Sequence, residues 1–78
     1  MIELTYYKTG EIESEVFILN NKKEGIYKLY YKNGKIYQTR EYVNSILNGE
    51  CKTYAENGKL IRTLVYIYGK LMEENYMY

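Results

Sequence analysis

Tyr30-Tyr31-Lys32-Asn33-Gly34-Lys35-Ile36 is the stretch on which the fold turns. Its pattern stands 24 residues earlier as Tyr6-Tyr7-Lys8-Thr9-Gly10-Glu11-Ile12 and 24 residues later as Tyr54-Ala55-Glu56-Asn57-Gly58-Lys59-Leu60. Gly25 and Gly49 form a second glycine column with the same period, and the pairs Lys28/Lys52, Thr39/Thr63 and Tyr42/Tyr66 follow it. Self-similarity at a fixed period of this size marks a repeat architecture. The units run 1–24, 25–48 and 49–72, within a single domain spanning 1–78. Residues 73–78 open a fourth unit, with Tyr78 in the Tyr6/Tyr30/Tyr54 column.

Each unit reads as two strands joined by a tight turn. Asn33-Gly34 and Asn57-Gly58 supply the positive-φ positions that hairpin turns demand, and they are flanked by β-favouring residues. Glu11, Glu13 and Glu15 alternate with other residues, which is a strand period and not a helical one. Strands are expected at about 2–7, 11–19, 25–31, 35–43, 49–55, 59–68 and 71–77. Connections this short join antiparallel neighbours, so the expected fold is all-β, an antiparallel meander of about seven strands. If each Asn-Gly turn is a three-residue loop with its glycine in the left-handed region, as at Lys32-Asn33-Gly34, one face collects Tyr6, Ile12, Ile18, Tyr30, Ile36, Tyr42, Tyr54, Leu60 and Tyr66. The other face then carries Tyr7, Tyr27, Leu29, Tyr31 and Tyr37. Gly10, Gly34 and Gly58, with Asn33 and Asn57, are the structural turn residues.

Composition closes off most chemistries. The chain has 78 residues, eleven Lys+Arg against ten Glu, no Asp, no His and one cysteine, Cys51. A nucleophile with no histidine beside it, and no ordinary histidine-containing ligand cluster, leaves neither a catalytic nor a metal site to expect. No enzyme, cofactor or metal is therefore expected, and Cys51 reads as a small packing residue. Glu11, Glu13 and Glu15 read as a solvated edge hairpin. The lone cysteine fits a reducing compartment, and no apolar run approaches the roughly 20 residues of a membrane span, so a cytoplasmic location with no membrane attachment is expected.

These residues resemble the variant form of the MORN repeat found in bacterial proteins. Its first half is similar to Tyr30-Tyr31-Lys32-Asn33-Gly34-Lys35-Ile36, its next-strand glycine to Gly49, and its second half to Tyr66-Ile67-Tyr68-Gly69-Lys70. The resemblance covers essentially the whole chain. Asn21 and Ser45 stand where the second-half glycine is expected, and Cys51 replaces the aromatic that Tyr27 supplies one unit earlier. These departures bear on loop geometry in the first two units and not on the meander. The resemblance implies antiparallel hairpin repeats with binding roles, an antitoxin label for some members, and no catalytic residues.

Function then has to come from a surface. A one-layer sheet of this length cannot cover both of its faces, and tyrosine brings a large contact area with few torsions to freeze. Residues that do not recur between units are free for a specific partner. Tyr7, Tyr27, Tyr31 and Tyr37 are therefore the expected partner-binding residues, with Lys28, Lys35 and Arg40 as a basic rim suited to an acidic partner surface. The expected function is a small protein-binding module that acts by occupancy, an inhibitor or antitoxin-like binder, with a homodimer as an additional state. A phage-type inhibitor of a bacterial defence nuclease is one alternative. Single-stranded nucleic acid is the other, because residues 22–62 hold nine Lys/Arg against four Glu, interleaved with tyrosines, whereas residues 1–21 carry a net charge of −3.

Overall fold

In the computed structural model, which describes residues 1–77, seven strands form one sheet with no helix among the described residues. They are β1 (Ile2–Tyr6), β2 (Ile12–Leu19), β3 (Lys22–Tyr30), β4 (Ile36–Val43), β5 (Ile46–Tyr54), β6 (Leu60–Ile67) and β7 (Lys70–Tyr76). Spatial order equals chain order and every pairing is antiparallel. The expected meander is the observed one. Tyr78, assigned to the Tyr6/Tyr30/Tyr54 column, lies outside the described residues.

Two kinds of turn alternate along the chain. At the Asn-Gly ends the loops are three residues long: Gly34 N–H donates to Tyr31 O (3.0 Å) and Tyr31 N–H to Lys35 O (2.8 Å), and the same pair of bonds recurs at Tyr7/Glu11 and Ala55/Lys59. Gly34 closes its loop at φ 88°, in the region where a Cβ is strained. Asn33 and Asn57 accept the N–H groups of Lys35 and Lys59 at 2.9 Å, so side chain and glycine cooperate in each turn. At the opposite ends sit two-residue turns, Asn20-Asn21, Asn44-Ser45 and Tyr68-Gly69, with positive φ at both positions. Asn21 and Ser45, which replace glycine, adopt the same conformation as Gly69 does. β3 and β5 consequently start three residues earlier than expected.

The sheet is 13 Å thick against 39 and 36 Å in its plane, so there is no second layer. Val16, Cys51 and Leu64 are the buried apolar side chains, accompanied by buried Ser14, Gln38, Thr53 and Thr63. Cross-strand partners share a face. The register Ser14, Leu29, Gln38, Thr53, Arg62, Tyr76 runs across six strands, and two residues along lies Tyr27, Arg40, Cys51, Leu64, Glu74. Six of the seven buried residues therefore lie on one face, where neighbouring side chains close over them. The other face has a polar middle row, Glu15, Lys28, Thr39, Lys52, Thr63 and Asn75.

The expected face assignment needs correction. Tyr6/Ile12, Tyr30/Ile36 and Tyr54/Leu60 do pair and share the second face. Ile18, Tyr42 and Tyr66 do not join them. The register slips by one residue beyond each of these pairs, leaving Glu13, Tyr37 and Ile61 as unpaired bulge residues. One extra residue reverses which side chains point to which face for the rest of the strand. Tyr42 accordingly packs on Tyr27, with ring centroids 6.0 Å apart.

Candidate functional site

The first face gathers the paired tyrosines, while Tyr6, Tyr30 and Tyr54 stand on the second. Tyr27 meets Tyr42, and Tyr31 meets Tyr37 edge-on at 5.1 Å. Tyr37 can reach Tyr31 because it is the bulge residue of β4, unpaired between Ile36 and Gln38. Tyr66, opposite Gly49, and Tyr76, opposite Arg62, extend the same surface. Tyr37 and Tyr76 remain 41% and 46% exposed, enough for a partner to touch their rings.

Cations cover part of this surface. Lys23 Nζ lies 4.7 Å from the Tyr27 ring centroid and 5.1 Å from that of Tyr42, while Arg40 approaches Tyr27 from 5.8 Å. Lys32 lies over Tyr7 at 5.6 Å. Of the three expected rim residues, the structure brings Arg40 to the rings. Lys28 pairs with Glu15 and Thr39 on the opposite face, and Lys35 stands at the exposed exit of the Asn33-Gly34 loop. Lys23 and Lys32 take the expected places of Lys28 and Lys35.

Tyr7 and Tyr31 have a second job. The Tyr7 hydroxyl donates to Tyr30 O at 2.5 Å and the Tyr31 hydroxyl to Tyr54 O at 2.7 Å, so each ties its own hairpin to the tip of the next. The sequence argument left stacking to the fully recurring columns, but these two tyrosines share in it. Ala55 occupies their column in the third unit. Burial first, and then the Glu56 carboxylate and the neighbouring Tyr37, push the Tyr31 phenol above its usual pKa. Tyr30, on the other face, is raised by burial and by Glu15, whose carboxylate accepts its hydroxyl at 3.2 Å.

A polar network crosses the middle of the tyrosine face. Arg40 Nε donates to Gln38 Oε1 (2.6 Å), Gln38 Nε2 to Thr53 Oγ1 (2.9 Å), and Arg62 Nη2 to the same hydroxyl (3.2 Å). Arg62 and Tyr76 were not among the expected site residues, and Tyr42 and Tyr66 were expected on the opposite face. One signal was available for Arg62: Ser14, Gln38 and Arg62 form a polar column at the 24-residue period.

Among the described residues no group of His, Cys, Asp or Glu is arranged to hold a metal ion, and Cys51 is a buried free thiol. No helix is long and apolar enough to cross a membrane. The surface offers contact area and charge.

The family described as MORN repeat variant matches the chain at residues 23–44 and 47–68. The two matches are offset by the 24-residue period and coincide with the β3–β4 and β5–β6 hairpins. No curated protein and no solved structure matches the chain.

Proposed function

The chain belongs to the MORN repeat variant family, whose repeats serve as non-catalytic protein- or membrane-binding modules, and on that premise we propose that it binds a protein partner on its tyrosine face. It acts by occupancy, as an inhibitor or antitoxin-like binder; an inhibitor of a defence nuclease would be one member of that class. The observation that carries this reading is a sheet one layer thick, with paired tyrosines on one face and no second layer over them. Rings already held by one another and by Lys23 and Arg40 lose little freedom when a partner arrives.

The test begins with affinity enrichment on the immobilised chain to identify the partner, followed by titration with that partner purified. Tyr27→Ser combined with Tyr37→Ser should weaken binding at least about tenfold, a loss typical of central aromatic contacts. Tyr6→Ser combined with Ile12→Ser, on the opposite face, should leave it within about twofold of wild type. The reverse pattern would move the binding surface to the second face.

A further inference from the structure

Lys23 and Arg40 meet at one tyrosine of the first face: Lys23 Nζ lies 4.7 Å from the Tyr27 ring centroid and Arg40 Cζ 5.8 Å from it. We propose that these two side chains form a site for a pair of carboxylates on an acidic segment of the protein partner. The proposal rests on the tyrosine-face reading and names the chemistry of what docks there.

The pleat of β3 and β4 separates the charges of each strand. Lys23 is followed by Glu24 and Arg40 by Glu41, but consecutive strand residues project to opposite faces. Glu24 and Glu41 therefore stand on the second face, paired with Phe17 and Ile26. Each is held there by a backbone donor: Asn44 N–H reaches Glu24 Oε1 at 2.8 Å, and Glu50 N–H reaches Glu41 Oε2 at 2.6 Å. From β3 to β6 the first face keeps Lys23, Arg40 and Arg62 and no carboxylate. Neither Lys23 nor Arg40 has an ion-pair partner among the described residues. Two cations at one ring with no acid to offset them repel each other, and an anionic partner relieves that repulsion.

Their free donors are within reach. Both side chains are half-buried, and among the described residues the one hidden side-chain polar atom without a hydrogen-bond partner belongs to Arg62. Lys23 Nζ and the two Nη atoms of Arg40, which have no acceptor in the sheet, therefore open to solvent. Each head is also held in place. Lys23 lies over Tyr42 as well, at 5.1 Å, and Arg40 is anchored through Nε to Gln38 Oε1 at 2.6 Å. That anchor leaves Nη1 and Nη2 to offer N–H groups to one carboxylate, while the Lys23 ammonium supplies a point charge to a second. Two separately anchored heads with one charge each suit two carboxylates better than a single phosphate dianion. The rings of Tyr27 and Tyr42 alongside suit apolar residues flanking the acids.

Nuclear magnetic resonance of the full chain, observing the Arg40 Nε–H signal and the rings of Tyr27 and Tyr42, tests this. The probes are acetyl-Leu-Glu-Val-Glu-Leu-amide, whose alternate glutamates share one side of an extended peptide, its counterpart with glutamine at both positions, and inorganic phosphate. The glutamate peptide should shift these signals saturably, and the glutamine peptide should bind about tenfold more weakly. Lys23→Gln and Arg40→Gln should each remove most of that difference, whereas Lys28→Gln, on the opposite face, should leave it unchanged. A loss as large in Lys28→Gln would show a diffuse effect of net charge and overturn the site. Equal binding of both peptides would overturn it too, while leaving the tyrosine face as a docking surface. Phosphate shifting the signals as strongly as the glutamate peptide at equal concentration would make this an unselective anion site and also overturn the proposal. If no probe shifts any of these signals the site falls, and the Tyr27/Tyr37 variants against the purified partner decide the tyrosine face separately.

Discussion

Gly49 sits at φ 122° with the Glu41 carboxylate where a Cβ would project, and that carboxylate accepts the Glu50 N–H at 2.6 Å. Alanine there is strained and displaces the acceptor as well. Gly25, one repeat earlier at φ 81°, has open space in that direction. Gly49→Ala should therefore destabilise by about 1–3 kcal/mol and by more than Gly25→Ala, as read from urea unfolding; equal effects would rule out the Glu41 contact as the cause. Tyr68 is the opposite case, an exposed tyrosine at φ 44° whose backbone, not its ring, is used, through an N–H to Asn48 Oδ1. Asparagine tolerates that conformation, and Tyr68→Asn should raise stability by about 0.5–1 kcal/mol. The raised phenols of Tyr30 and Tyr31 give a pH dependence with a definite sign. A phenol that holds its proton more tightly folded than unfolded contributes fully below about pH 10, and loses that contribution as pH rises through its folded pKa. Ultraviolet titration should show a late-ionising tyrosinate class that shrinks in Tyr30→Phe and in Tyr31→Phe.

Hairpins are joined to hairpins at both ends of their strands. At the Asn-Gly ends the tyrosine hydroxyls of Tyr7 and Tyr31 reach the next hairpin tip. At the other ends the turns Asn44-Ser45 and Tyr68-Gly69 lean on a strand of the preceding hairpin: Ser45 N–H donates to Lys23 O (2.9 Å), Asn44 N–H to Glu24 Oε1 (2.8 Å) and Gly69 N–H to Leu47 O (2.6 Å). Register slips beside Gly25 and Gly49, where three residues of β3 or β5 oppose one residue of the strand before, accompany these contacts. Tyr7→Phe and Tyr31→Phe each remove one hydrogen bond and almost no surface. Each should cost about 0.5–1.5 kcal/mol, measurable as a shift in the denaturant midpoint at constant slope. No loss in either variant would mean that the hydroxyls do not clamp neighbouring units.

Each strand of the molecule is hydrogen-bonded only to its neighbours in sequence, and no side chain among the described residues is buried completely. Stability in such a chain is close to a sum of nearest-neighbour terms, and the ends open first. All of β1 and β7 is exposed, whereas the buried residues are confined to β2, β4, β5 and β6. Amide hydrogen exchange should therefore be fastest in β1 and β7 and slowest where β4 meets β5. Uniform protection across all seven strands would contradict a one-dimensional sheet.

Period, turn positions and antiparallel order were legible in the residues alone, because hairpins are local: an Asn-Gly turn and a connection of a few residues determine which strand comes next and in which direction. The three-residue loop at Lys32-Asn33-Gly34 was expected and is observed, but the reason for expecting it, that it puts all the recurring columns on one face, does not hold. The allocation of Ile18, Tyr42 and Tyr66 to a face could not be read from the residues alone. It depends on Glu13, Tyr37 and Ile61 being left out of the ladder, and a bulge is settled by how whole strands pair, with no mark on the bulged residue itself. The same holds for the clamps of Tyr7 and Tyr31, and for Arg62 between Thr53 and Tyr76, whose partners lie 23, 9 and 14 residues away on other strands. Local chemistry determined the order of the strands. Tertiary structure decided what each face presents, because side chains alternate with a period of two and one slipped residue exchanges the two faces.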